Sequence, residues 1–320
     1  MAQCNGCLKD NTNGFCSSCV TVLFDRSKVG PQLKFNWEDI SKRIDSHPMG
    51  FSISGVQRKG FVGKPRGTEL VPKMDTGEKS QYIVKPMLSR FNLPDQSPAN
   101  EHLTMQMAKQ LFGIKIAECA FMNFANGTPA YITRRFDYDD NGEKLNQEDF
   151  VSVLKAAHKY KSKTYQDVGE WLSPLNRIDF LRILIFNFLT GNGDAHLKNI
   201  SLLETADGDM MLSPSYDLMN TKIHLSDNLL ALNLFEEMEQ TSLPLGENYS
   251  YKSGDFIEFG TRLKIKETII TKIIKSFNEK ENDILAMVDK SFLSGDARKL
   301  YKSNVVENYN LFRQSKPFAG

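Results

Sequence analysis

The chain has 320 residues, of which 40% are hydrophobic and 25% charged, and its 40 lysines and arginines nearly balance 39 aspartates and glutamates. This composition is typical of a soluble globular protein, and it excludes collagen-like, intrinsically disordered and polyanion-coating chains. At about 150 residues per domain, the length accommodates two domains or one two-lobed domain with a large core.

The first residues indicate where the protein resides. Met1 to Gly6 contain neither the basic start nor the apolar run of a secretory signal. The most apolar stretch, residues 180–189, is interrupted by Arg182 and is shorter than the ~18 residues that a membrane-spanning helix needs. We therefore expect a cytoplasmic protein with no membrane partner, in which disulfides are disfavoured.

Four of the five cysteines form two CxxC pairs near the N-terminus, Cys4, Cys7, Cys16 and Cys19. Four thiolates at this spacing favour a structural zinc site, because so short a segment gains its folding energy from the metal rather than from a core. A redox pair and unliganded thiols are the alternatives, whereas four cysteine ligands would leave no open position for catalytic zinc. Residues 1–24 are thus predicted to form a zinc-ribbon-like knuckle.

The knuckle is followed by a connector over residues 25–48, after a short strand or helix that starts at Val20. In residues 51–63, apolar and polar side chains alternate around glycines, which favours a strand that enters a glycine-bearing loop. Residues 64–80, rich in Lys, Pro, Gly and Thr, are expected to form an exposed connection.

Further strands are expected in the same half of the chain. A brief strand over 82–86 contains one charged residue, Lys85, at the end of an apolar run. Asn100 is expected to cap a helix that ends at Gly113, and two more strands are expected at 117–124 and 129–136. Residues 49–137 are therefore predicted to form a small β-rich lobe.

Helical periodicity dominates the rest of the chain. The predicted helices cover 150–160 and 178–189, and a C-terminal series begins at Ile265. Residues 138–320 are therefore predicted to form a larger α-helical lobe. The predicted fold class of the chain is α+β with two lobes, a layout that bilobal nucleotide-binding enzymes share.

A polar loop follows the apolar helix and carries the strongest chemical pattern in the sequence. Asp194 and Asn199 are five residues apart, as in the kinase catalytic loop, where the carboxylate accepts the substrate hydroxyl proton and the amide holds a metal ion. Asp217 stands where a second magnesium ligand is expected. Upstream, Lys85 could pair with ATP phosphates, and Glu101 could orient that lysine through an ion pair.

Each of these features has a simpler interpretation when it is taken singly. The glycines before Asp194 could form only a helix C-cap and turn, and His196 could be a hydrogen-bonded loop histidine. Lys85 could be a solvated lysine, and Glu101 a first-turn carboxylate favoured by the helix dipole. The four parts in this chain order nevertheless indicate a kinase.

The motifs resemble those of one known family in their correct order. They comprise the segments 52–59, 82–86, 100–101, 133–137, 147–150, 193–199 and 216–217. From about residue 50 to the C-terminus, the chain is similar to the HipA family of toxin serine/threonine kinases. The paired serines Ser52 and Ser54 resemble the Ser-x-Ser form of the compact, HipT-like branch. The resemblance implies a bilobal protein-kinase-like fold.

This resemblance also implies roles for single residues at the nucleotide. Lys85 would contact the ATP phosphates, with Glu101 beside it, and Asp137 would bind the ribose. The backbone from Arg134 to Phe136 would form the hinge that receives the adenine.

The remaining roles concern phosphoryl transfer and its regulation. Asp194 would act as the base, with His196 in the same catalytic loop, while Asn199 and Asp217 would bind magnesium. Ser52 or Ser54, next to Gly55 in the glycine-bearing loop, would be the serine that undergoes regulatory autophosphorylation.

The resemblance implies partners as well. They are a protein substrate, with an aminoacyl-tRNA synthetase as the expected target, and a helix-turn-helix antitoxin through which DNA would be contacted only indirectly. Longer members begin with an extra N-terminal subdomain that split systems encode as a separate small protein, and such a protein is an expected partner here. The cysteine knuckle is absent from the longer form. Because it precedes the lobe that holds Lys85, we expect nucleotide binding to survive loss of its metal.

Two alternative functions stay open. Loops of the form Asp-x-His-x2-Asn also resemble those of phosphoinositide kinases, so a lipid or small-molecule substrate is one alternative. The other is a catalytically silent adaptor that binds nucleic acid through the knuckle. Lys9 is the only basic residue between Cys4 and Cys19, which disfavours phosphate contacts there.

Overall fold

The structure, a computed structural model, describes residues 2–11, 14–46, 58–73, 80–139, 141–225, 229–236 and 251–314. Ser52, Ser54 and Gly55, which the sequence places in a phosphate-covering loop, lie outside these residues. Among the helices in the described ranges, none combines the length and apolar character that crossing a membrane requires.

The N-terminal segment contains two helices, α1 (Ser17–Phe24) and α2 (Trp37–Ser46). The start of α1 coincides with the second CxxC pair, and Asp25 in the left-handed conformation (φ 49°) ends the helix. Residues 31–33 then run beside residue 123, with Leu33 N–H donating to the Asn123 carbonyl at 2.7 Å. This segment therefore covers the edge of the neighbouring sheet, which would otherwise expose unpaired backbone groups.

That sheet has four antiparallel strands in the order β1-β2-β4-β3. The strands are β1 (Gly60–Val62), β2 (Tyr82–Pro86), β3 (Cys119–Asn123) and β4 (Pro129–Arg134). Helix α3 (Ser97–Phe112) packs against β3 and β4. The β-rich lobe expected from the sequence is thus confirmed, with strands that are shorter than expected at 117–124 and 129–136.

Helix α3 begins four residues earlier than expected, with Gln96 rather than Asn100 as its N-cap. Pro98 occupies the first turn, where the missing N–H of proline has no intrahelical partner to lose, so the helix starts at Ser97. The prediction that Asn100 caps this helix is therefore wrong. Asn100 is buried inside it, and its amide exchanges hydrogen bonds with the backbone of Asn220 at 2.9 and 3.1 Å.

The second lobe is mainly helical and contains one small antiparallel sheet, β5-β6-β7. Its strands are β5 (Gln147–Asp149), β6 (Ser201–Glu204) and β7 (Met210–Leu212). Within its described residues the α-helices are α4 (Phe150–Val153), α5 (Tyr165–Trp171), α6 (Pro174–Thr190), α7 (Ser253–Arg262), α8 (Glu267–Asn278), α9 (Glu281–Asp289) and α10 (Gly295–Phe312). Helix α6 lies at the centre of its core, and Phe180, Leu184 and Phe188 are fully buried.

One predicted helix of this lobe is much shorter than expected. The apolar spacing predicted a helix over 150–160, but α4 is a single turn. Lys155 takes a left-handed conformation (φ 49°), which a continuing right-handed helix does not allow. The following residues form a loop that contacts Asp194 and His196. The helix expected at 178–189 is confirmed, although it starts earlier, at Pro174.

The two lobes are joined by paired backbone segments near the centre of the molecule. Ala117 N–H donates to the Ser215 carbonyl at 2.9 Å, and Ser215 N–H donates to the Lys115 carbonyl at the same distance. The segment before β3 is therefore held against the chain just before Asp217. This bridge fixes Asp217 relative to the sheet that carries Lys85.

A close contact between helices provides a test of the packing in the second lobe. A Cβ atom added at Gly169 in α5 would lie 2.7 Å from Leu263 Cδ2, and Leu263 is buried. We expect Gly169→Ala to lower the free energy of unfolding by about 1–3 kcal/mol, because the core must shift to admit the methyl group. Urea denaturation measures this loss. Gly295→Ala, at a helical site with no atom within 4 Å, should retain wild-type stability, and an equal loss in both variants would contradict the packing argument.

Candidate active site

A cavity of about 870 Å³ lies between the two lobes. Its size is that of a pocket for a nucleotide-sized ligand. Nine residues that the sequence singled out line this cavity: Lys85, Glu101, Arg134, Phe136, Asp137, Asp194, His196, Asn199 and Asp217. The structure therefore brings together residues from both lobes, and their individual roles stay predictions.

Three charged side chains meet at the back of the cavity. Lys85 Nζ on β2 donates to Glu101 Oε1 on α3 at 2.7 Å, and it also donates to Asp217 Oδ1. Lys85 and Glu101 are 7% and 1% exposed. Burial raises the pKa of Glu101 to about 7, against the lowering effect of Lys85. Burial alone would lower the pKa of Lys85. The carboxylates of Asp217 and Glu101 outweigh burial, so the pKa of Lys85 is raised.

Asp217 is held in an uncommon backbone conformation. Its φ of 57° lies in the left-handed region, which aspartate tolerates better than most residues and which is frequent at functional sites. Burial alone would raise the pKa of its carboxyl, but the Lys85 ammonium outweighs this effect and keeps the pKa below its usual value. Asp217 is therefore an ionised carboxylate that faces the cavity.

The turn after α6 positions the loop that carries Asp194 and Asn199. Gly191 (φ 71°) ends the helix, and a Cβ atom there would lie 3.1 Å from Asn220 Oδ1. Gly193 N–H donates to Thr221 Oγ1 at 2.9 Å, and Asn199 Nδ2 donates to the Asp194 carbonyl at 3.0 Å. The loop is thus fixed at both ends.

Asp194 lies at the mouth of the cavity, with its side chain 49% exposed. Tyr160 donates its hydroxyl hydrogen bond to Asp194 Oδ1, and His196 Nε2 lies 4.0 Å from the same oxygen. Burial lowers the pKa of His196, and the Asp194 carboxylate counteracts this effect. The Lys159 ammonium, whose Nζ lies 2.9 Å from His196 Nε2, lowers the pKa further. The imidazole is therefore neutral near pH 7.

The segment predicted as the hinge is largely engaged in other contacts. The Arg134 side chain is directed away from the cavity and pairs with Asp25 Oδ1 at 2.6 Å. The backbone N–H of Arg134 donates to the Glu118 carbonyl. Arg135 N–H donates to the Gln81 carbonyl. A hinge role would therefore depend on the remaining backbone groups of the segment, such as the N–H of Phe136.

Asp137, predicted to bind ribose, is paired with Arg135. The guanidinium donates to both carboxylate oxygens of Asp137, at 2.9 and 2.5 Å. This bidentate pair fixes the orientation of the carboxylate at the cavity wall. A ribose hydroxyl would have to share the carboxylate with Arg135.

The sequence analysis missed Lys159 and Tyr160, which border or line the cavity. It gave no role to the side chains of Lys59, Arg135 and Lys198, which also line the cavity, although all three lie in its motif segments. Lys198 lies between Asp194 and Asn199, so its position in the catalytic loop was a usable signal. Burial lowers the pKa of Lys59, and the nearby Asp217 carboxylate counteracts this effect. Lys159 and Tyr160 come from the loop after α4, which the sequence had assigned to a helix.

The cysteine cluster is separate from this cavity. One ligand atom from each of Cys4, Cys7, Cys16 and Cys19 lies within 4.8 Å of the others. The N–H groups of Cys16 and Gly6 are directed at Cys4 Sγ, at 3.2 and 3.4 Å. Hydrogen bonds from Cys19 and Cys7 hold the pKa of the Cys4 thiol well below its usual value, although burial opposes the shift. This donor set fits a tetrahedral zinc ion.

The β-rich lobe, the helix that carries Glu101 and the loop that carries Asp194 and Asn199 define a bilobal, kinase-like α+β protein, as the sequence predicted. The family within that class follows from sequence comparison. Residues 51–284 match the family model described as HipA-like C-terminal domain, and the chain belongs to this family. It is a HipA-type kinase.

Individual relatives are consistent with this assignment. The chain is 25% identical over 311 residues to a Haemophilus influenzae protein named as a candidate kinase, covering 88% of this chain and 87% of that protein. It is 26% identical over 218 residues to the serine/threonine-protein kinase toxin HipA of Shewanella oneidensis, covering 59% and 48%. The chain thus spans about half the length of that toxin.

A solved structure supports the fold. The complex of HipA, HipB and operator DNA from Shewanella oneidensis contains a chain that superposes with a TM-score of 0.61 at 23% identity. The match covers 88% of this chain and 71% of that chain. At this identity the likeness establishes the fold alone.

The charge cluster at the back of the cavity can be tested without any ligand. In Lys85→Met, the Asp217 carboxylate and the buried Glu101 carboxyl both lose their partner, and we expect the free energy of unfolding to fall by about 3–5 kcal/mol. Adding Glu101→Leu should restore part of this loss, since no buried carboxyl without a partner then remains at that position. Denaturant titration of the single and double variants measures both effects. A double variant less stable than Lys85→Met would show that the pairing does not explain the loss.

Proposed function

We propose that the chain is an ATP-dependent serine/threonine protein kinase of a toxin–antitoxin system. The observation that carries the proposal is the convergence of Lys85, Asp194, Asn199 and Asp217 on one cavity between the lobes. In the reaction, the substrate hydroxyl oxygen would bond to the γ-phosphorus. The bond from that phosphorus to the bridging oxygen would break, and ADP would leave with the bonding electrons.

The residues divide this task by position. Asp194 is exposed at the mouth of the cavity, where a protein hydroxyl can approach, and its carboxylate would accept the hydroxyl proton. Lys85 lies deeper, where its ammonium would contact phosphate oxygens. Tyr160, which donates to Asp194, would have to yield this contact to the substrate.

Asn199 and Asp217 suit a magnesium ion, which when bound would neutralise charge on the phosphates. The side-chain amide nitrogen of Asn199 donates a hydrogen bond to the Asp194 carbonyl, so the amide oxygen is the atom that can face a cation. The Asp217 carboxylate is ionised and adjoins the same cavity. Both offer oxygen, the donor that magnesium prefers.

One relative supports the proposal of a partner. The Shewanella HipA structure contains HipB and operator DNA, and we propose a corresponding helix-turn-helix antitoxin for this chain, with DNA contacted only through it. The substrate would be a protein, for which an aminoacyl-tRNA synthetase is the first candidate to test. We also propose that the kinase phosphorylates itself at Ser52 or Ser54, which would add about −1.5 to −2 charges to the loop.

Single carboxylate variants test the catalytic assignment. We expect Asp194→Asn to lower phosphate transfer from labelled ATP by about 10²-fold or more, with little change in nucleotide affinity, because the base acts on the rate. Asp217→Asn should instead weaken magnesium-dependent nucleotide binding. Asp207→Asn, in the exposed β6–β7 turn, serves as the matched control and should behave as wild type.

Mass spectrometry of the same reactions locates the phosphate. Wild type should carry it on Ser52 or Ser54, and Asp194→Asn should carry none. Near wild-type transfer by Asp194→Asn would refute the assigned base. Transfer to a lipid or small molecule, with no labelled protein in a lysate, would refute the protein substrate.

We further propose that the four cysteines bind one structural zinc ion. Elemental analysis of reduced, freshly purified protein should find about one zinc per chain, and Cys4→Ser with Cys7→Ser should abolish it. Gly6→Ala should also lower zinc content, because its Cβ would lie 2.6 Å from Cys19 Sγ. Gly30→Ala, with no atom within 4 Å, is the matched control. Absence of zinc from the wild type would refute this site.

A further inference from the structure

The cysteine module, residues 2–25, is docked on the same elements that carry the cavity residues. Its cysteines share one apolar cluster with residues of the sheet, including Tyr82, Val84 and Ile132. We expected nucleotide binding to survive loss of the metal because the module only precedes the lobe in sequence. The packing removes this reason, since the module is in contact with the lobe.

A fully buried contact joins the module to helix α3. His102 follows Glu101 directly on this helix and is fully buried. Its Nε2 lies 2.8 Å from the carbonyl oxygen of Gly6. Because the carbonyl can only accept, Nε2 carries the hydrogen. His102 Nδ1 is buried with no hydrogen-bond partner among the described residues, so the Gly6 carbonyl is the contact that satisfies this ring.

The position of Gly6 is set by the cysteines. It lies between Cys4 and Cys7, and its N–H is directed at Cys4 Sγ at 3.4 Å. A side chain at this position would collide with Cys19 Sγ. The geometry of the thiol cluster therefore dictates where the carbonyl that receives His102 can lie.

Further hydrogen bonds attach the same loop to the lobe. Asn5 donates from Nδ2 to the Phe121 carbonyl and accepts from Phe121 N–H, both at 2.9 Å. Gln110, at the other end of α3, donates to the Cys7 carbonyl at 2.8 Å. The loop between Cys4 and Cys7 thus contacts both α3 and the edge strand β3.

Helix α1 contacts the two strands nearest the cavity. Tyr82 at the start of β2 donates to the Leu23 carbonyl at 2.6 Å. Arg134 at the end of β4 donates to the Val22 carbonyl at 3.0 Å and pairs with Asp25. The module therefore contacts the strand that carries Lys85, the helix that carries Glu101 and the first residue of the predicted hinge.

From these contacts we infer that the metal-bound cysteine module positions helix α3 for nucleotide binding, with His102 as the positioning residue between Gly6 and Glu101. With the cluster assembled, the Gly6 carbonyl holds α3 where Glu101 meets Lys85. Without metal the loop loses its fixed shape, His102 loses its acceptor, and Glu101 no longer orients Lys85 toward phosphate. This inference rests on the proposed zinc site and the proposed kinase function.

The test compares three variants of the full chain for binding of a fluorescent, non-hydrolysable ATP analogue with magnesium. His102→Leu should keep its zinc but raise the Kd about tenfold, within the usual range of coupling between sites. His102→Gln, which retains a donor, should stay within about threefold of wild type. Cys4→Ser with Cys7→Ser should lose zinc and raise the Kd to a similar extent.

Combining His102→Leu with the cysteine variant should raise the Kd little further, since both changes break one connection. Gly169→Ala, which is expected to destabilise the other lobe, is the control for general loss of stability and should bind the analogue as wild type does. Equal binding by His102→Leu and wild type would overturn the inference. Additive effects of the two changes, or a Gln variant as weak as the Leu variant, would also overturn it.

Hydrogen exchange of the α3 amides separates this inference from the proposed function. Removal of zinc, by chelation or in the cysteine variant, should speed exchange in α3 more than in α6, with or without nucleotide. If wild type fails to bind the analogue while α3 still responds to zinc, the positioning stands and the kinase proposal fails. If α3 exchanges at the same rate with and without zinc, the positioning fails whatever the activity.

Discussion

The buried interaction of Lys85 with Glu101 and Asp217 is the constraint on which the rest of the structure depends. A charge removed from water is tolerated only when partners meet it at close range, so three separate segments must be placed together. The sheet supplies Lys85, helix α3 supplies Glu101, and the chain after β7 supplies Asp217. The Ala117–Ser215 bridge and the Asn100–Asn220 pair hold these segments in register, so one electrostatic requirement organises the cavity.

The local patterns in the sequence predicted a large part of this arrangement. Strands β2, β3 and β4 and helix α6 follow from apolar periodicity, and Asp194 with Asn199 follows from a spacing within one loop. Such features depend on residues close in the chain, which sequence patterns report directly. The order of Lys85, Glu101, Asp194 and Asp217 indicated a kinase, and the structure places all four residues at one cavity.

The features that sequence reasoning missed involve distant partners. Asn100 is a residue type that commonly caps helices, but here it lies inside α3, where it forms tertiary hydrogen bonds with Asn220. Pro98 was the local signal for the earlier start of α3. The helix expected over 150–160 ends at Val153. Lys155 then takes a left-handed conformation, and the loop that follows brings Tyr160 to Asp194. The attachment of Gly6 to His102 spans 96 residues, and no local periodicity encodes such a contact. The assignment of the cysteines to a separate knuckle failed to anticipate it.

The pairing of Asn5 with Phe121 also constrains how the chain is made. The two residues are 116 positions apart. Strand β3 is held in the sheet by its pairing with β4, so Asn5 can pair with Phe121 in the sheet only after β4 has formed. On the ribosome, the loop between Cys4 and Cys7 must therefore wait for synthesis to pass Arg134 before it can dock. During that interval four thiols are exposed on an unfolded segment, and metal capture by these thiols would keep them from oxidation until the sheet forms.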